Sequence, residues 1–570
     1  MMVTKKALRL TAAAALAGLT LGAGAVHGAT PRSAMRASGV VTITDWQFPD
    51  GCGPGAASVA DQEVCAATQS GEGGLYTVDT HLNYIPYLAT NIPTQKNGGV
   101  KIQDGNTVVT YHLRPNKWSD GTAETASDVV FGTRISADIG NGGTGLALIT
   151  TMQAVNASTV RVTYKGLYAP YYSEGAPIAL PQHYFAKKYG SADLKTIEGK
   201  YLTDSYNSPS DVFDGPFKIQ SWTNGQSIVL VPNPYFTAFP AQSGHPLPAQ
   251  IKFVNITDNE AGLATALQSS NSGVDKAEDF QATDLPVLQA GKYHITPQPA
   301  LFVEHLELNQ NGPLKDVRLR QALQYAVDKA TLFKDLFPQL SNPSTYLLKS
   351  VLPNASPWAN KSIPASQYNP AKAKQLLAAA GYATSYNGSG KHLYLNFTTT
   401  TTSVRQKDFQ ILSRYWANVG IHVNPHFLSG SPSANGGLFS PYNLNGTLYQ
   451  RRFDIALFAY QEPPDPQSSE VNFNPAFIPT AAKHGASQEN YTGVTDADQY
   501  NLLVKARQSF DSSQRHALVN QWQALVNSRV YWIMLYARAN ITADNGRIGN
   551  FQPNPSSAGN SWNAYEWYVK

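Results

Sequence analysis

Two periodicities alternate along almost the whole of this chain, and that alternation limits what it can fold into. Val109, Tyr111 and Leu113 interleave with Thr110, His112 and Arg114, as do Val160, Val162 and Tyr164 with Arg161, Thr163 and Lys165. Period two marks a strand with one buried face. Between such stretches lie segments punctuated as helices. Thr125 to Asp128 is a capping box that predicts a helix running towards Ile139. Asn369-Pro370 opens another that closes at Gly381, with Pro and Gly at the ends they favour. Ser403 to Gly420 is a third. Leu319, Ala322, Leu323, Ala326, Val327 and Ala330 stripe one face of a helix starting near Asp316. Two more helices are expected between Asp496 and Arg529, before a strand at Tyr531 to Tyr536. No fixed repeat orders these elements, so the class is α/β without a regular βαβ succession. Loops are expected at 383–391, 429–447 and 551–561.

The chain has 570 residues, and at about 150 residues per domain three or four units are expected. Hydrophobic residues are 42% and aromatics 11%, which excludes wholesale disorder. The N-terminus reads as an export signal: Lys5, Lys6 and Arg9, an uncharged run from Leu10 to Ala25, then small residues, with cleavage after Ala25 or Ala29. The run is short of the ~20 apolar residues a membrane span needs. No cysteine follows it closely and no paired arginines precede it, so a lipoprotein is not indicated and the general secretory route is. The expected destination is the periplasm, cell surface or medium. Those three cations supply most of the net charge of +4. The remainder is nearly neutral, which excludes a nucleic-acid role.

Cys52 and Cys65 are the only cysteines. In an oxidising compartment they are expected to close a structural disulfide beside Gly51, Gly53, Pro54 and Gly55. Without C-x-x-C or a second ligand pair, neither a redox pair nor a metal site is expected. Catalytic signatures are missing: there is no G-x-S-x-G, H-E-x-x-H or P-loop. Gly140, Gly142 and Gly145 spell G-x-G-x-x-G but follow a predicted helix, which favours a loop over a dinucleotide site. His422 and His426 fall on a strand-like surface segment. Glu462 and Asp465 could be imagined as a glycosidase pair, but they lie three residues apart in a Pro-rich segment without a separate partner carboxylate. No catalytic residue, metal or cofactor is assigned.

Several blocks together resemble one family. YHLRPNKWSDGT at 111–122, followed by ASDVVF at 126–131, is similar to a signature of the extracellular solute-binding proteins for oligopeptides, dipeptides and nickel, which serve ABC importers. APIALPQHYF at 176–185, DGPFK at 214–218 with NPYF at 233–236, and LELN at 306–309 with DVRLRQA at 316–322 and AVD at 326–328 follow in the family's order. AKQLLAAAGY at 373–382, GIHV at 420–423 and FDIAL at 453–457 complete it. Trp118 and Gly121 also have a plain physical reading, a buried ring beside a turn that needs positive φ. The spacing from Arg114 to Trp118 is one residue shorter than the common family pattern.

The resemblance implies a two-lobed periplasmic-binding-protein-like fold with a hinge and an inserted domain. Domain I would comprise 30–72, 206–297 and 533–570, domain II 73–205, and domain III 298–532. It implies a monomer that captures a peptide or related solute and serves an ABC permease and, through it, an ATPase. In peptide-binding members an acid after the FDIAL-like strand fixes the ligand ammonium. Matched without gaps that acid is Glu462, with Asp465 the neighbouring candidate. Tyr460 takes the place of the family's usual Trp, Gln461 lies beside it, and Trp46 could face them from domain I. The arginine that dipeptide binders place before the Ser403-type helix is replaced by threonines 398–402, with Arg405 displaced, which argues against a dipeptide clamp. Longer peptides, or an oligosaccharide, glycolipid or metal chelate, stay open. The readings from other classes are a secreted glycoside hydrolase or peptidase using Glu462 and Asp465, and a surface adhesion or structural protein.

Overall fold

The computed structural model describes residues 37–570, apart from 55–58, 70–73, 139–142, 240–243, 258, 270–271, 366 and 485–487. The export signal and Gly140 and Gly142 therefore lie outside the described residues. A ten-stranded mixed sheet runs through the molecule. In spatial order its strands are Ile421–Leu428, Leu393–Thr400, Ile455–Gln461, His294–Leu308, Trp532–Asp544, Lys276–Ala277, Val40–Thr44, Gln250–Val254, Ser227–Pro232 and Phe217–Thr223. Central strands such as Ile455–Gln461 begin as unbroken apolar runs because both faces are covered.

Two strands join the halves of this sheet. His294–Leu308 has 15 residues and Trp532–Asp544 has 13, against about 5–6 for an ordinary strand, because each serves both halves. They pair antiparallel from His294/Asp544 to Pro299/Ala539 and again from Val303/Ala537 to Glu307/Trp532, and the register shifts in between. Pro297 and Pro299 have no N–H to give the ladder, so the pairing is short of donors next to the break.

Several buried clusters fill the molecule. Val41, Ile43, Phe217, Leu230 and Phe253 pack on one side of the crossing strands with Val64 and Trp567. Leu306, Phe397, Leu457 and Ile533 pack on the other with Leu323, Leu412 and Trp416. A separate four-stranded sheet, Val100–Gln103, Asn106–His112, Thr159–Tyr164 and Ile149–Asn156, buries Val109, Tyr111 and Val162 against Val129 and Trp118. Gly121 closes the turn after Trp118 at φ +91°, where its Cα faces the Tyr235 ring.

Local punctuation placed most helices. Ala126–Asp138 starts where the Asp128 carboxylate accepts from the Thr125 N–H and hydroxyl at 2.9 and 3.0 Å. Pro370–Ala379, Ser403–Ala417, Ala497–Gln508 and Ser512–Arg529 follow. One expectation is corrected. The stripe from Leu319 to Ala330 is two helices, Val317–Tyr325 and Lys329–Leu336, because Asp328 turns extended and caps the second, accepting from Ala330 and Thr331 N–H at 3.1 Å. The strand expected at Tyr531 to Tyr536 continues to Asp544. Gly145 presses on the Glu174 carbonyl where a Cβ would collide, a packing role for that glycine. Cys52 and Cys65 are joined as a disulfide, Cα–Cα 5.4 Å, tying the helix Val59–Thr68 to the turn at Gly51. Among the described residues no helix is long and apolar enough to cross a membrane.

Candidate ligand-binding cleft

The strand Ile455–Gln461 lies antiparallel to Phe302–Leu308 and ends where Pro463 and Pro464 withhold the N–H groups that a ladder needs. The last rung is the Glu462 N–H, donating to the Leu301 carbonyl at 2.9 Å. Residues 461–465 thus emerge beside the register break of the crossing strands. Opposite them, Tyr76, Tyr84 and Tyr172 meet edge-on, Tyr76–Tyr172 at 6.5 Å and Tyr84–Tyr172 at 5.8 Å between ring centres. The space between these walls is a cavity of about 320 Å³, lined by the three tyrosines with Gln461, Pro463 and Pro464.

Of the five candidate residues, Gln461 alone lines this cavity. The Glu462 carboxyl is 3% exposed, and the Ser469 hydroxyl reaches it only at 3.4 Å. Burial pushes it up to about 8, and the neighbouring Glu489, itself raised to about 7 by burial, acts the same way. Asp465 is differently placed. Its carboxylate accepts from Arg515 Nη2 and Nη1 at 2.6 and 3.0 Å, from the Ser173 hydroxyl at 2.6 Å, and from the Gln467 N–H at 2.9 Å. Those four donors fill its acceptor positions. The Tyr460 ring lies nearly parallel to His305 and Trp532, at 5.3 and 5.7 Å, and its hydroxyl has no hydrogen-bond partner among the described residues. Trp46 stands across the crossing strands, its Nε1–H donating to Asp279 at 2.8 Å.

Arg405 faces the hinge. It donates to Glu304 at 3.2 and 3.3 Å and to the Thr400 hydroxyl at 3.0 Å, while Arg538 gives Glu304 two further bonds at 2.6 and 2.9 Å. Burial alone would raise Glu304, but Arg538 and Arg405 outweigh it and hold the carboxyl at about 2. His422 and His426 meet the Tyr386 carbonyl and the Asn396 side chain at 3.1 and 3.3 Å. Among the described residues no three His, Cys, Asp or Glu side chains converge as a metal site. Tyr76, Tyr84, Tyr172, Ser173 and Arg515 escaped the sequence reading. The only local signal was the aromatic density of Tyr168 to Tyr172.

Two halves of one sheet share a pair of long strands, and the cavity lies between the end of Ile455–Gln461 and the tyrosine wall opposite. This chain belongs to the bacterial extracellular solute-binding proteins, family 5, whose middle region matches residues 83–483. It is 23% identical over 482 residues to a putative ABC transporter peptide-binding protein of Brucella ovis, spanning 82% of this chain and 84% of that one. Its fold is similar to that of the oligopeptide-binding protein AppA of Bacillus subtilis, solved with a nonapeptide: TM-score 0.68, 19% identity, 95% of this chain and 100% of the other. It is also similar to NikZ of Campylobacter jejuni, solved with Ni(L-His), at TM-score 0.70, 19% identity, and 95% and 100% coverage.

Proposed function

We propose that this protein is an exported, non-enzymatic, monomeric receptor that captures peptides or related small solutes and delivers them to an ABC permease. The observation that carries this reading is the cavity between the Gln461–Pro464 segment and the Tyr76, Tyr84 and Tyr172 wall. A ligand touching both walls stabilises the closed form, and the closed form is what a permease can recognise. The names of the Brucella and Bacillus relatives favour peptides. At about 320 Å³ the cavity lies at the low end of the ~300–1,000 Å³ range of ligand pockets, which favours a short peptide or compact solute over a long one. Glu462, beside the cavity-lining Gln461 but not itself lining the cavity, is the proposed anchor for a ligand ammonium, because Asp465 already has its donors and Glu462 has one long bond. An arriving cation favours the ionised carboxylate. The proposed division is 30–72 with 206–297 and 533–570, an inserted 73–205, and 298–532, although the buried clusters cross these boundaries: Leu263 to Leu288 pack with Leu306 and Phe397, and Phe131, Leu180 and Phe185 pack with Val41 and Phe217.

Native mass spectrometry of freshly purified mature protein tests the reading, followed by calorimetry with a tripeptide panel. Retention of a small solute, or tripeptide binding without turnover, supports it. Hydrolysis of a peptide or glycoside that disappears in Glu462→Gln overturns it.

A further inference from the structure

The cavity wall that faces Gln461 is a corner of aromatic rings with an acid set beside it. Tyr76 and Tyr84 each stand nearly upright on the Tyr172 ring, at interplanar angles of 77° and 81°, and all three line the cavity. Val78, Leu146 and Ile178 add an apolar surface next to them. Glu174, half-buried, belongs to the same lining, and its backbone is fixed. Its N–H donates to the Pro170 carbonyl at 2.9 Å, and its carbonyl accepts from the Tyr168 hydroxyl at 2.8 Å. Gly145 packs directly on that carbonyl, where a Cβ would collide. The acid and the rings are thus placed by the fold before any ligand arrives, which is the condition for selectivity without a large ordering cost.

Among the described residues that line the cavity, Glu174 alone is of a type charged at neutral pH. The cations near this wall, Arg507 and Arg515, do not line the cavity and are held by Glu470 and Asp465 at 2.9 and 2.6 Å. A ligand carboxylate lodged here would meet an acid and no lining cation to offset it. A cation meets the reverse, an acid and ring faces whose π electrons attract positive charge. The apolar lining suits a methylene stem leading to that cation, as lysine and arginine bury their stems and keep the charged end among polar groups. We infer that the cavity receives a cationic side chain of the ligand, an alkyl ammonium or guanidinium, with its stem on the apolar lining and its charge between the tyrosine corner and Glu174. This group is additional to the terminal ammonium assigned to Glu462, and the inference rests on the proposed capture of peptides in the cleft.

The test is calorimetry with three pairs of tripeptides, in which each residue of Ala-Ala-Ala is replaced in turn by lysine or by norleucine, similar in length and uncharged. The two members of a pair share their terminal ammonium, so any contribution of Glu462 cancels between them. Wild type is expected to prefer lysine at one position by about tenfold or more. Glu174→Gln is expected to erase most of that preference and leave the norleucine peptide nearly unchanged. Tyr84→Leu is expected to cut the preference severalfold, and Tyr84→Phe, which keeps the ring, to preserve it. If Tyr84→Leu folds poorly, Glu174→Gln decides the matter. Equal affinities within all three pairs overturn the inference and leave peptide capture standing, and so does a preference that survives Glu174→Gln or Tyr84→Leu whole. Binding of none of the six peptides overturns the peptide reading and this inference with it.

Discussion

Asp465 and Arg515 form a two-point ion pair at 2.6 and 3.0 Å, and the Ser173 hydroxyl, from the cavity wall opposite, reaches the same carboxylate at 2.6 Å. The Ala169 N–H donates to the Arg507 carbonyl at 2.7 Å, and the Tyr171 and Phe510 rings stack at 6.4 Å nearby. Ser173 lines the cavity, so this clasp ties one cavity wall to the segment that carries Asp465.

Ser173→Ala removes one clasp bond and leaves the ion pair whole. A hydrogen bond to a charged group contributes about 1.5–3 kcal/mol, so a bound tripeptide should leave at least about tenfold faster. Asp465→Asn should do more, since breaking a buried pair costs about 3–5 kcal/mol. Stopped-flow tryptophan fluorescence gives the dissociation rates. Wild-type rates in both variants contradict the clasp.

If Glu462 holds a ligand ammonium, Glu462→Gln should weaken free-amine tripeptides at least about a hundredfold, because the ammonium loses its buried partner. N-acetylated tripeptides should bind wild type weakly and be nearly indifferent to the substitution. Calorimetry on the four combinations checks this. Identical affinities throughout would move a non-peptide ligand ahead.

The same residue predicts a pH dependence of stability. Glu462 is raised from 4.5 to about 8, so the folded chain holds a proton that the unfolded chain releases. Its contribution is complete below about pH 4.5 and is lost as pH rises through 8. Glu489 acts in the same direction. Ligand-free Glu462→Gln should therefore gain in melting temperature over wild type at pH 8 and not at pH 4.5. Equal shifts at both pH values would contradict the buried, protonated state.

Glu304 runs the opposite way. Lowered from 4.5 to about 2 by Arg538 and Arg405, against its burial, it contributes stability above pH 4.5 that is lost as pH falls through 2. Glu304→Gln leaves two guanidiniums without their acid and should cost about 3–5 kcal/mol at neutral pH, with a much smaller loss in acid. Denaturant midpoints at pH 7 and near pH 2 measure both.

What the sequence made legible was local or collective. Caps such as Asn369 and Asp128 act within three residues and are readable one helix at a time. The ordered family blocks carried the fold class. A single apolar stripe hid the break at Asp328, because periodicity does not register a side chain that turns back to cap the next helix. The lengths of the two crossing strands were not legible either, since half of each pairs in a different part of the sheet. The candidate segment 460–465 was legible, but the partners of its side chains were not. Asp465 meets Arg515 fifty residues away and Ser173 292 residues away, and nothing near it in the chain foretells either partner.

The central claim is capture by closure, and small-angle scattering tests it most directly. Protein stripped of ligand by unfolding and refolding is measured alone and with a saturating tripeptide whose binding calorimetry has established. The account predicts a smaller radius of gyration with ligand, approached by wild type and reached less fully by Asp465→Asn. An unchanged radius on demonstrated binding would contradict it.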